Sequence, residues 1–161
     1  MTLTWQPFSA LDGATVYALL ALRMQIFVVE QHCAFQDADG LDLEAWHLLA
    51  HHEGRLVGAL RVLPRGLAWP DAAAIGRVVV DPEFRRNGLG KTLMIEGLRQ
   101  LVATLGPGRV RLGAQAQLEG WYGRLGFVAD GAPFDEDGIP HVPMVGEVDA
   151  EGRVGFRALA E

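Results

Sequence analysis

The segment Val78-Val79-Val80-Asp81-Pro82-Glu83-Phe84-Arg85-Arg86-Asn87-Gly88-Leu89-Gly90-Lys91-Thr92 constrains the fold more than any other part of the chain. Three valines after Ile75-Gly76-Arg77 read as a buried strand closed by Asp81-Pro82, because β-branched residues favour extended backbone and the residue before a proline is steered away from the helix. Two glycines then open a helix to Leu105, in which Met94, Leu98, Leu101, Val102 and Leu105 form the apolar stripe of a helix lying on a sheet. Gly106-Pro107-Gly108 stops it. In such a strand–turn–helix unit the first helical N–H groups have no internal partners and lie at the positive end of the dipole, and glycine lets an anion approach the backbone closely. With Arg85, Arg86 and Lys91 alongside, a phosphate or pyrophosphate is the natural ligand.

Spacing decides which phosphate motif this is. A P-loop, G-x-x-x-x-G-K-[ST], finds its end in Gly90-Lys91-Thr92, but its first glycine would fall on Arg85. A dinucleotide fingerprint, G-x-G-x-x-G, starts at Gly88-Leu89-Gly90 and needs a third glycine where Leu93 stands. What remains is R-x-x-G-x-G, from Arg85 to Gly90.

The other elements complete a mixed α/β chain. Thr2 to Phe8 forms a strand, and Asp12 or Thr15 caps a helix to about Val28, with Val16, Leu19, Leu20, Arg23 and Phe27 along one side and fraying at Val28-Val29-Glu30. Glu30 to Gly40 has no usable period and reads as a loop long enough to border a site, with a short helical piece around Leu43. His47 to His52 and Arg55 to Leu63 form a hairpin through Glu53-Gly54. Arg109 to Gln115 is a strand, Leu118 to Leu125 a short helix, and Gly126-Phe127-Val128 starts another strand. Asp135 to Gly138 is a solvated turn, with strands around His141 to Glu147 and Arg153 to Ala158. With 161 residues, no internal repeat and no linker, a single domain over 1–161 is expected.

Composition narrows the partners. A net charge of −6 argues against nucleic acid. One cysteine, no basic-then-apolar N-terminal run and no run of about 18 consecutive apolar residues point to a cytoplasmic chain without a membrane partner. No metal is expected: His47, His51 and His52 lack a cysteine to complete a zinc set. Asp37-x-Asp39-Gly40-x-Asp42 has its glycine two positions early for a calcium loop and Leu48 in place of the closing Glu, so it reads as a turn with solvated acids. Cys33 reads as packing. Arg77 has two readings, a buried partner of Asp37 or Asp39, which is favoured, and an anchor for a carboxylate on an acceptor.

The hexamer Arg85 to Gly90 resembles the pyrophosphate-binding turn of the GCN5-related N-acetyltransferases (GNAT). Gln115-x-x-Leu118-x-x-Trp121-Tyr122-Gly123-Arg124-Leu125-Gly126-Phe127 is similar to that family's later motif, commonly N-x-x-A-x-x-F-Y-x-x-x-G-F; it differs at Gln115, Leu118 and Trp121. Phe27 to Asp39, Ile75 to Val80, Ala114 to Gln117 and Glu136 to His141 resemble the ElaA-like branch of the family, so the likeness covers most of the chain from about Tyr17 to Met144. The resemblance implies a central mixed sheet flanked by helices, with strands four and five splayed apart. It implies acetyl-CoA as cosubstrate, held by Val78, Val79 and Val80, by Arg85, Arg86, Asn87, Gly88, Leu89, Gly90 and Lys91, and by Gln115 and Trp121. Tyr122 falls where the family places a general acid for the leaving thiolate, while Glu30 and His141 border the acceptor side as candidate bases, with bound water as the alternative. The acceptor it implies is a primary amine, on a small molecule or a peptide. A non-catalytic acyl-CoA sensing domain on the same fold and an unrelated ATP-binding module are the rival readings. A sheet edge near the C-terminus leaves room for a homodimer.

Overall fold

The structure, a computed structural model, describes residues 1–155 and divides into two units. The first holds Met1–Leu63 and Gly76–Gly97. In it β1 (Thr2–Pro7) pairs antiparallel with β2 (Trp46–His52), and β2 with β3 (Arg55–Leu63). The β2–β3 turn is Glu53-Gly54, both at positive φ (50° and 78°), the backbone that matches the twist of a hairpin. Asp12 caps α1 (Gly13–Arg23), its side chain accepting from the Thr15 N–H at 2.8 Å.

Past Arg23 the helix does not fray. Met24–Glu30 continues it as a π-helix, in which the Gln31 N–H donates to Ile26 O at 3.2 Å and the Cys33 N–H to Val28 O at 3.0 Å, each spanning five residues. The wider turns keep Arg23 and Ile26 buried while the chain runs on to Glu30. Leu19, Leu22 and Ile26 pack with Leu49, Leu56, Ala59 and Val79 in the core of this unit. By length and composition Gly13–Glu30, with a mean hydropathy of 1.4, could cross a membrane; here three of its residues belong to that core.

β4 (Ala73–Val80) and α2 (Leu89–Leu105) each contribute to both units. Within the first, Gly58 of β3 lies under α2: a Cβ there would stand 3.1 Å from Leu93 Cδ1 and 3.3 Å from the Val79 carbonyl, a fit that favours glycine because a methyl would push Leu93 aside by a few tenths of an ångström.

The second unit holds Pro64–Ile75 and the chain from Leu98 onward. β5 (Gly108–Gln115) runs antiparallel to β8 (Ile139–Val148) from Gly108 opposite Val148 to Gln115 opposite His141. β6 (Val128–Ala129), β7 (Phe134–Glu136) and β9 (Val154–Gly155) also pair with β8. β9 is the described part of the strand expected around Arg153 to Ala158; the remainder lies outside the described residues. The short α3 (Glu119–Arg124) follows a 3-10 turn at Ala116–Leu118. Arg65 closes the end of α2 by donating to Leu105 O at 2.7 Å and Gly106 O at 3.0 Å.

The strand order is β1-β2-β3-β4-β5-β8-β6, a mixed sheet flanked by helices. β4 and β5 are parallel and pair only at Ala73 with Val110 and Ala74 with Arg111 among the described residues.

Candidate functional site

The phosphate-binding candidate lies wholly in the first unit. Asp81 follows β4, its side chain accepting from the Glu83 N–H at 2.9 Å, and the chain turns through Pro82–Phe84 into Arg85 to Gly88. Gly88 has φ +78° with nothing within 4 Å of a built Cβ, so this glycine is needed for its backbone and not for room. The Thr92 N–H donates to Gly88 O at 3.0 Å, which makes it the first intrahelical bond of α2. The N–H groups of Leu89, Gly90 and Lys91 therefore precede any intrahelical acceptor and form the anion-facing end of the helix. Arg86, Asn87 and Lys91 are exposed around it. Val78 and Val80 are half-buried, on the opposite face of β4 from the core residue Val79.

Arg85, although exposed, is held at two points. Its Nε donates to Val80 O at 3.2 Å and its Nη1 stands 2.7 Å from Glu30 Oε1. Glu30, a candidate base, thus enters the structure as the counter-ion of the first residue of the turn.

Before β4 reaches that end its backbone leaves the extended region at Arg77, φ +48°. The Arg77 side chain reaches Asp37, with Nε 2.8 Å from Oδ1 but not aligned as a hydrogen bond, and Nη2 lies 3.4 Å from Asp39 Oδ2. Its guanidinium also sits over the Phe35 ring at 5.7 Å. The ion-pair reading of Arg77 holds. The reading of Asp37, Asp39 and Asp42 as a turn with solvated acids does not, because Asp37 and Asp42 are buried and three arginines converge on the group. Arg23 donates from Nε to Asp37 at 2.8 Å and from Nη1 to Asp42 at 2.7 Å. Arg61 holds Asp39 at 2.6 Å and Asp42 at 3.2 Å, and His47 Nε2 lies 3.2 Å from Asp42. Burial alone would raise the Asp42 carboxyl, but hydrogen bonds from His47 and Arg23 and the charges of Arg23 and Arg61 outweigh it and hold it far below the usual carboxylate range. A sequence signal existed: Arg23 stands on the apolar side of its helix and Arg61 inside an apolar strand, positions that need buried acidic partners.

The remaining site candidates lie in the second unit. Gln115 ends β5 and its side chain accepts from Gln117 Nε2 at 2.8 Å. α3 carries Trp121, half-buried, edge-on to Tyr122 at 4.9 Å, and Tyr122 in turn meets Phe127 edge-on at 6.4 Å. Tyr122 is 9% exposed, and burial pushes its hydroxyl up to about 12. Among the described residues its hydroxyl has no hydrogen-bond partner, so a backbone carbonyl does not occupy it. His141 lies across from Gln115 on one side and Phe134 on the other, with the Phe134 ring stacked on it at 5.5 Å. Its Nδ1 bonds to Ile139 O at 2.7 Å, which puts the proton on Nδ1 in the neutral ring and the lone pair on Nε2, 3.5 Å from Glu136 Oε2.

The acetyltransferase (GNAT) domain family matches residues 27–148. The Escherichia coli protein ElaA is 38% identical over 148 residues, 89% of this chain and 96% of its own length, and its crystal structure superposes with a TM-score of 0.83 at 36% identity, covering 89% and 97%. An acyl-CoA N-acyltransferase from Pseudomonas aeruginosa superposes with a TM-score of 0.84 at 40% identity, covering 90% of this chain and 99% of that one. An aminoglycoside 6'-N-acetyltransferase solved with coenzyme A shares the fold alone, with a TM-score of 0.68 at 16% identity over 91% and 97%.

Proposed function

Because the chain belongs to the GNAT acetyltransferase family, we propose that residues 1–161 act as one domain that binds acetyl-CoA and transfers its acetyl group directly to a primary amine. The observation that carries this reading is the turn from Arg85 to Gly90, which delivers the N–H groups of Leu89, Gly90 and Lys91, all ahead of the first intrahelical bond of α2, beside exposed Arg86 and Lys91. The pyrophosphate binds there. The pantetheine arm pairs with Val78 to Val80, past the two described β4–β5 pairs at Ala73 and Ala74, and the Val80 N–H polarises the thioester carbonyl. Gln115 and Trp121 flank the cofactor.

Direct transfer needs no covalent enzyme intermediate. The neutral amine attacks the thioester carbon, the C–S bond breaks, and the departing thiolate takes a proton from the Tyr122 hydroxyl. A hydroxyl held protonated by burial, with no acceptor among the described residues, suits a donor at neutral pH. On the acceptor side Glu30 is engaged by Arg85, whereas the Nε2 lone pair of His141 or a bound water can receive the amine's proton. The acidic chain favours a cationic or small polar acceptor over an acidic one.

Thermal stabilisation by acetyl-CoA and by CoA, with none by ATP, is the expected first result, and stabilisation by ATP alone would overturn the cofactor assignment. Tyr122→Phe is expected to lower turnover by about 100-fold or more while acetyl-CoA affinity changes little, since the interaction is made in the transition state. Release of free thiol across a panel of amines is the assay. A Tyr122→Phe enzyme with wild-type turnover under conditions where chemistry limits the rate would remove Tyr122 from the mechanism.

A further inference from the structure

We propose that Glu30 is a positioning residue for the cofactor turn, acting through Arg85, and not the acceptor of the amine's proton. This rests on the acetyl-CoA reading. The contacts join three elements: Glu30 ends the π-helix, Arg85 begins the turn, and Val80 ends β4. The Arg85 guanidinium spends its Nε on Val80 O and its Nη1 on the Glu30 carboxylate. A hydrogen bond and an ion pair on one rigid planar group fix its orientation, which a lysine ammonium could not reproduce.

The consequence falls on the backbone. The first α2 N–H groups bind an anion well only if the turn that delivers them is held in place before the anion arrives. Between β4 and α2 the chain passes through Asp81 to Gly88, and it is non-helical and exposed at Arg86, Asn87 and Gly88, with Arg86 at φ +67° and Gly88 at +78°. The Arg85 side chain ties the beginning of that stretch to β4 and to the helix that ends at Glu30. The carboxylate is turned onto the guanidinium at 2.7 Å, so using it on an acceptor would take it away from the contact that anchors the turn. Both side chains are about two-fifths exposed, so the strut is worth a modest factor in affinity and not the whole of binding.

The test is a double-mutant cycle on the full chain. CoA affinity is read by titration calorimetry, turnover is followed against pH, and folding is checked by thermal melting. Glu30→Ala and Arg85→Ala are each expected to weaken CoA about threefold to tenfold, and the double variant should be no weaker than the worse single one. Glu30→Gln, whose amide oxygen still accepts from Arg85, should recover most of the affinity and keep the acidic limb of the pH profile. Additive losses would overturn the strut, and loss of the acidic limb in Glu30→Gln would make Glu30 the base. A large, salt-dependent loss in Arg85→Ala with Glu30→Ala unchanged would make Arg85 a direct phosphate ligand and overturn the strut as well. If the wild-type chain fails to bind CoA, the acetyl-CoA reading falls first, and the strut with it.

Discussion

Gly90→Glu is expected to abolish CoA binding, weakening it by about 100-fold or more, while leaving the protein folded. The new carboxylate would sit in the first turn of α2, among the N–H groups of Leu89, Gly90 and Lys91 that precede any intrahelical acceptor. It would occupy the dipole end that a pyrophosphate needs and repel the phosphate charges. Folding should tolerate it, since an acidic residue in the first turn complements the helix dipole, and Gly90, unlike Gly88, is not among the residues at positive φ. Gly88→Glu would mix that effect with backbone strain. Gly90→Gln separates bulk from charge and should retain part of the affinity. Calorimetry with CoA beside a thermal melt reads both quantities, and a folded Gly90→Glu protein with wild-type affinity would dismiss the turn as the phosphate site.

Removing Arg23 should be the most damaging single change to stability. Its guanidinium is 1% exposed and is shared by Asp37 and Asp42, so Arg23→Leu takes a donor from two buried carboxylates at once and leaves Asp37 to Arg77 and Asp42 to Arg61 and His47. Breaking a buried ionic group this way costs about 3–5 kcal/mol, a large part of the roughly 5–15 kcal/mol that holds a domain together. A fall in Tm of about 6–20 °C is the corresponding shift. The same group makes stability depend on acid. The Asp42 and Asp39 carboxyls are held below their ordinary value in the folded state, so their contribution is complete above the unfolded value, about 4, and fades as pH falls below it toward the folded values. Asp42→Asn should therefore flatten the loss of stability below about pH 4 as well as lowering stability at neutral pH. An Arg23→Leu protein that melts within about 2 °C of the wild type would show that the arginine is not needed.

The strand–turn–helix unit and the β2–β3 hairpin were legible because local chemistry decides them. Valines, Asp81-Pro82 and the glycines act within a few residues of their own positions, as do Glu53 and Gly54. Arg77 was legible as an ion-pair residue for a similar reason, a lone charge in an apolar strand. The acidic loop was misjudged because aspartates spaced two or three apart beside a glycine look the same whether water or arginine surrounds them. What buries them comes from Arg23 and Arg61, distant in sequence and brought together by the packing of α1 against the sheet. The Glu30–Arg85 pair was invisible for the same reason, and the π-helix because a run of Met24 to Glu30 carries no composition that separates wide turns from ordinary ones.

That wide-turned stretch acts as a change of phase in a screw. Each residue of an ordinary helix advances the side-chain direction by about 100°, so the faces offered by Leu19, Leu22 and Arg23 fix where every later residue points unless the winding alters. Met24–Glu30 alters it, letting one continuous helix bury an arginine early and still deliver a carboxylate to Arg85 at its far end. The same segment wound as a regular α-helix, one residue longer than such a helix needs to keep its faces in step, would turn further and point its acid elsewhere. The extra residue is thus a spacer in angle, and the length of this segment, more than the identity of its side chains, sets which arginine the helix can reach.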